Sequence, residues 1–168
     1  MKTFQQLQEG LYDPNIFKAF FMAGGPGSGK SYVVKKSTGG TGLKIVNSDE
    51  AFERLLKQAG LSLKMPDNEI IPRDKIRDKA KAITDKRKGN YVEGRLGLII
   101  DGKGKDYNKI TKQASDLKQL GYDVHMIFVN TSLDVALENN QRRARTLKDS
   151  IVKDSWNQVQ KNMGKFQR

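Results

Sequence analysis

The sequence predicts an α/β fold built on a central parallel sheet with helices on both faces. Two observations carry that expectation. Short apolar runs at residues 16–23, 43–46, 96–100 and 123–129 alternate with stretches of helical period. The first three runs each end in a polar cluster, as strands do where the ligand cleft of an open α/β sheet lies. Runs this short and this apolar suit strands covered on both sides, which right-handed crossovers provide.

Residues 1–15 place Phe4, Leu7 and Leu11 at helical spacing and end in Asp13-Pro14, so a lead-in helix stopped before proline is expected. The run 16–23 is the first strand. A helix follows from Gly29 or Lys30 to Lys36, broken by the glycines of residues 39–42, and a second strand spans 43–46. Ala51, Phe52, Leu55 and Leu56 return to helical spacing, with Ser48 as the expected cap and Gly60 as the stop. Residues 61–72 hold Pro66 and Pro72 and read as loop, whereas 73–91 read as a long charged helix with Ile76, Ala80 and Ile83 on one face. The third strand at 96–100, a helix at 107–120 ended by Gly121, and the fourth strand at 123–129 come next. Helices at 133–145 and 149–163 close the chain, and one domain over residues 1–168 is expected.

Composition limits the function classes. With no cysteine, disulfide scaffolds, thiolate metal sites and cysteine nucleophiles are excluded. The run 16–23 contains Lys18 and is far shorter than a bilayer span, and residues 1–15 are too polar for a secretory signal, so a soluble, cytoplasmic protein without membrane contact is expected. The formal net charge of +12 favours polyanions, either nucleic acid or nucleotide phosphate. Residues 73–88 and 142–168 are the denser basic stretches, and neither interleaves aromatics as a base-stacking platform would.

The most specific chemistry lies at the end of the first strand. Gly24-Gly25-Pro26-Gly27-Ser28-Gly29-Lys30-Ser31 fits the phosphate-binding pattern G-x-x-x-x-G-K-[ST] at every fixed position. Gly25, Gly27, Ser28 and Gly29 would wrap backbone N–H groups around phosphate oxygens at a helix N-terminus, with Pro26 stiffening the turn. Lys30 would bring its ammonium to the β- and γ-phosphates of a nucleoside triphosphate, and Ser31 would ligate the accompanying Mg²⁺.

Other candidates are less specific. Leu98-Ile99-Ile100-Asp101 is an apolar strand ending in a carboxylate, the pattern that places an aspartate near Mg²⁺, though an aspartate can also cap a turn. Asp49 or Glu50 could orient an acceptor hydroxyl and take its proton, or could merely favour a helix N-terminus. The strand-end position favours Asp49. Arg142, Arg143 and Arg145 could close over a triphosphate or could complement a helix C-terminus. His125, the only histidine, reads as a core or edge residue, and Trp156 as packing for its helix.

Taken together, residues 24–31, Asn47-Ser48-Asp49, Ile99-Ile100-Asp101-Gly102 and Arg143-x-Arg145-Thr146 resemble the P-loop kinases of the zeta-toxin-like and polynucleotide-kinase-like group. The resemblance implies a three-layer P-loop kinase-like fold with strand order 2-3-1-4, ATP-Mg²⁺ as donor, and a hydroxyl acceptor facing Asp49 as base. It also implies an arginine lid over about residues 139–150 with Arg143 and Arg145. Lys103 stands where these kinases often have threonine, and Asn139 where an arginine is often found. The expected activity is transfer of the γ-phosphoryl group to a hydroxyl, with a polynucleotide 5′-hydroxyl as the first candidate. The alternatives are a nucleotide or nucleotide-sugar acceptor, or an ATP-dependent nucleic-acid-binding protein without turnover.

Overall fold

The structure is a computed structural model that describes residues 16–64, 66–102 and 104–166. The lead-in helix expected at 1–15 and Lys103 lie outside the described residues. Four parallel strands form the sheet: β1 (Lys18–Ala23), β2 (Lys44–Val46), β3 (Leu98–Asp101) and β4 (Asp123–Phe128). Their order is β2-β3-β1-β4, as expected, with β1 and β3 central. The helices are α1 (Lys30–Thr38), α2 (Ser48–Gln58), α3 (Ile70–Glu93), α4 (Tyr107–Gln119), α5 (Leu133–Gln141) and α6 (Asp149–Phe166).

Alternating side chains of the central strands feed two apolar layers. Ala19, Phe21, Leu98 and Ile100 face α4 and the end of α3, where Ile110, Leu117, Tyr91 and Val92 pack. Met22 and Ile99 face the other way, against Val33 and Val34 of α1. Leu98 and Ile99 are wholly buried, and a side chain so placed contributes about 1.5–3 kcal/mol. A third cluster joins Ala51, Phe52 and Leu56 of α2 to Ala80 of α3.

The local differences from expectation have physical reasons. The cap of α2 is Asn47 rather than Ser48: its Oδ1 accepts the Asp49 amide at 2.7 Å, and Ser48 is already helical. Asp49 therefore sits in the first helical turn, beyond the end of β2. Helix α3 begins at Ile70 rather than Arg73, because Pro72 falls in its first turn, where a missing N–H leaves no helical bond unmade. Helix α5 ends at Gln141, so Arg142, Arg143 and Arg145 lie in the connection to α6 and not in the helix. Trp156 does more than pack its own helix, since its Nε1 donates to the Thr131 carbonyl at 2.8 Å. His125 lies on the edge strand β4, stacked on Phe20 and paired with Asp123 at 2.9 Å.

Candidate active site

The C-terminal ends of β1, β2 and β3 open on one cleft of about 1140 Å³, lined by residues 26–32, Asn47, Asp49, Arg77, Asp101, Asn139, Arg143 and Arg145 among others. The glycine loop leaves β1 and enters α1 through Gly29, whose φ of 88° is left-handed and suits glycine. Gly27 has a second reason. Its φ is 78°, and a Cβ there would lie 2.1 Å from the Ala136 carbonyl oxygen, so only glycine lets the loop rest on α5. Asn139 reinforces the contact by donating from Nδ2 to the Gly27 carbonyl at 2.8 Å. The residue that departs from the expected arginine thus holds the loop backbone. Lys30 curls over the loop, its Nζ donating to the Gly24 and Gly25 carbonyls at 2.6 and 3.0 Å.

The two acidic strand ends are linked by Asn47. Its Oδ1 caps α2 while its Nδ2 donates to Asp101 Oδ2 at 2.7 Å, so one side chain fixes the start of the Asp49 helix and the Asp101 carboxylate. Burial pushes the Asp101 carboxyl above its ordinary value, against the pull of Lys30, and the Asp49 charge adds to the rise. A carboxylate short of positive charge beside a phosphate loop fits a divalent cation. Among the described residues no group of three or more His, Cys, Asp or Glu side chains is placed to hold a metal ion.

Asp49 is held in the opposite way. Arg77 Nη1 donates to Oδ1 at 2.8 Å and Arg145 Nη2 to Oδ2 at 2.6 Å, so each oxygen has its own guanidinium. Burial would raise this carboxyl, but Arg145 and Arg77 outweigh it and hold the group below the usual carboxylate value. Phe52 steadies the Arg77 cation, whose guanidinium lies 3.6 Å from the ring centroid. Arg145 is only 9% exposed and also donates to Glu53 at 2.9 Å. Its segment is anchored behind it: buried Asn140 donates to the Leu147 carbonyl at 2.8 Å and accepts the Leu147 amide at 3.1 Å.

The cleft gathers the loop from Pro26 to Ser31, Asp49, Asp101, Arg143 and Arg145, whereas Gly25, also expected, is not among its lining residues and lies against the backbone of Trp156. The two arginines are not equivalent, because Arg143 is exposed at the rim while Arg145 is buried against Asp49. Glu50 is exposed, so Asp49 is the carboxylate that the structure engages. Sequence reasoning missed Arg77, Asn47, Glu53 and the loop contact of Asn139. For Asn47 the signal was available, since asparagine directly before a helix is a preferred cap. Nothing in a charged helix singled out Arg77.

Comparison with known proteins bears on the family and the fold. Over 91 residues, 52% of this chain, the sequence is 36% identical to cytidylate kinase of Ignicoccus hospitalis, and the chain spans about half the length of that curated relative, 52% of it. Among solved structures, the fold is similar to a chain of the Pnkp1/Rnl/Hen1 RNA repair complex, with TM-score 0.68, 18% identity, and coverage of 90% of this chain and 46% of that one. It is also similar to a chain of the AvrRxo1-ORF1:-ORF2 complex with ATP, with TM-score 0.68, 16% identity, and coverage of 89% and 49%. A chain of the PezAT toxin-antitoxin system of Streptococcus pneumoniae gives TM-score 0.67, 17% identity, and coverage of 89% and 63%. Residues 20–166 match the family model AAA_33, an AAA domain, and with its phosphate loop and its 2-3-1-4 sheet the chain belongs to that family and has the P-loop kinase-like fold.

Proposed function

We propose that the protein is an ATP-dependent kinase that transfers the γ-phosphoryl group to a hydroxyl, with a polynucleotide 5′-hydroxyl as its first candidate acceptor. The observation that carries this reading is the placement of Asp49 and Asp101 on the same cleft as the glycine loop. In this reading the backbone N–H groups of residues 27–31 and the Lys30 ammonium bind the β- and γ-phosphates. Mg²⁺, held by Ser31 and Asp101, would neutralise charge on the phosphate oxygens. Asp49, ionised at neutral pH, orients the acceptor hydroxyl and takes its proton as the new O–P bond forms; the bond to the β,γ-bridging oxygen breaks and ADP leaves. Arg143 and Arg145 offset the charge that develops on the transferred group. Arg145 must share itself between that task and Asp49.

A second reading, a nucleotide acceptor, is favoured by the cytidylate kinase match. The two are separated by incubating the protein with γ-labelled ATP and a panel of 5′-hydroxyl oligonucleotides, nucleosides, nucleoside monophosphates and nucleotide sugars. The expected result is label on a 5′-hydroxyl end and a fall of about 10²–10⁴-fold in Asp49→Asn. Label on a nucleoside monophosphate would install the second reading. Label on no acceptor, with ATP binding intact, would leave an ATP-dependent binding protein.

A further inference from the structure

Cations are more numerous on this cleft than a triphosphate requires. Lys30, Arg143 and the loop amides serve the donor. Two further ammonium groups line the same cleft: Lys81 of α3, one turn after the Arg77 that holds Asp49, and Lys109 of α4. Both residues are exposed. Farther along α3, half-buried Lys88 has Asp85, Asp116 and Lys109 as charged neighbours; burial pushes its ammonium below the ordinary value, and the two carboxylates, each acting more strongly than Lys109, pull it back. Helix α3 carries eight basic residues against four acidic ones, and between Arg77 and Lys88 it has no aromatic residue.

We propose that Lys81, Lys109 and Lys88 form a lane between α3 and α4 along which a single-stranded nucleic acid runs outward from the hydroxyl end held at Asp49. The inference rests on the polynucleotide reading of the acceptor, not on turnover itself. Arg77 to Lys88 spans roughly 16 Å of helix, at 1.5 Å per residue. Phosphates of a stacked strand recur about every 3.4 Å, so several fit. Ammonium groups without interleaved aromatics grip phosphates and not bases, so the lane is indifferent to sequence and sensitive to salt. Asp78, paired with Lys81 at 3.0 Å, is the carboxylate that the strand must displace or tolerate.

The test is fluorescence anisotropy of a 3′-labelled, 5′-hydroxyl single-stranded oligonucleotide over a salt series, with Lys81→Glu/Lys109→Glu and the milder Lys81→Gln/Lys109→Gln beside the native chain. Initial rates on short and long 5′-hydroxyl acceptors run in parallel, with the KM for ATP as the control. The glutamate variant is expected to bind at least about tenfold more weakly at low salt, with the salt slope reduced by about 1.4 or more. The glutamine variant falls between. The advantage of long acceptors over short ones disappears while the KM for ATP holds. Unchanged binding, slope and length dependence in both variants would overturn the lane. Transfer to an acceptor whose KM ignores length and both lysines would remove the lane and leave the kinase standing. Lysine-dependent binding without transfer to any acceptor would keep the lane and remove the kinase.

Discussion

The two halves of the cleft are made of different material. The half proposed for the donor is backbone: a glycine loop resting on the Ala136 carbonyl, tied by Asn139 and closed by a lysine that donates to carbonyls five and six residues before it. The half proposed for the acceptor is side chain: Asp49 of α2, Arg77 of α3 and Arg145 of the segment after α5 meet across 28 and 96 positions of sequence. A backbone cradle tolerates little variation, because its shape is its chemistry. A side-chain cluster can be assembled from distant positions, and can be reassembled for another acceptor.

The largest effect should come from attacking the donor half. Lys30→Ala is expected to lower phosphoryl transfer by about 100-fold or more and to abolish the thermal shift produced by ATP, leaving the melting point without nucleotide nearly unchanged. Calorimetry with and without ATP checks this, and an intact ATP shift would break the assignment of the loop. A smaller loss is expected on the acceptor half. Asn140→Ala leaves the Leu147 amide and carbonyl without their partner, which should cost about 1–3 kcal/mol in urea unfolding and release the Arg145 segment. Its transfer rate should fall while its ATP shift stays. Equal losses of both would show that the halves act as one unit.

The smallest effect is a pH dependence. Because Asp49 is held below its ordinary value of 3.8 in the folded state, its ionised form adds stability that is present above that value and is lost as pH falls through the lower folded value. The stability gap between the native chain and Asp49→Asn, followed by urea unfolding from neutral to acid pH, should therefore narrow on acidification. A gap independent of pH would mean that the two guanidiniums do not favour the carboxylate.

The same contrast explains what could be read in advance. The fold was legible because β1, β2, β3 and β4 announce themselves as short apolar runs and their order follows from the family likeness of the loop. Asp101 and the loop were legible for the same reason, since each is a local pattern at a strand end. The double clamp on Asp49 was not: Arg77 is one basic residue among eight on α3, and only the packing of Phe52 against Ala80 brings it to the cleft. Arg145 was recognised as a residue of interest, but its burial against Glu53 and Asp49 depends on the Asn140 anchor, a contact between side chain and backbone with no sequence signature. Local motifs record chemistry done by backbone; long-range clusters are recorded only in the fold.

Neighbouring residues at the end of α5 face two ways. Asn139 holds the phosphate loop and Asn140 holds the segment that carries Arg145. Inserting one residue just before them would swing both by about 100° around the helix axis. Neither attachment would survive that rotation, so the spacing of these two asparagines, more than their separate identities, keeps the glycine loop in phase with the segment that carries Arg145.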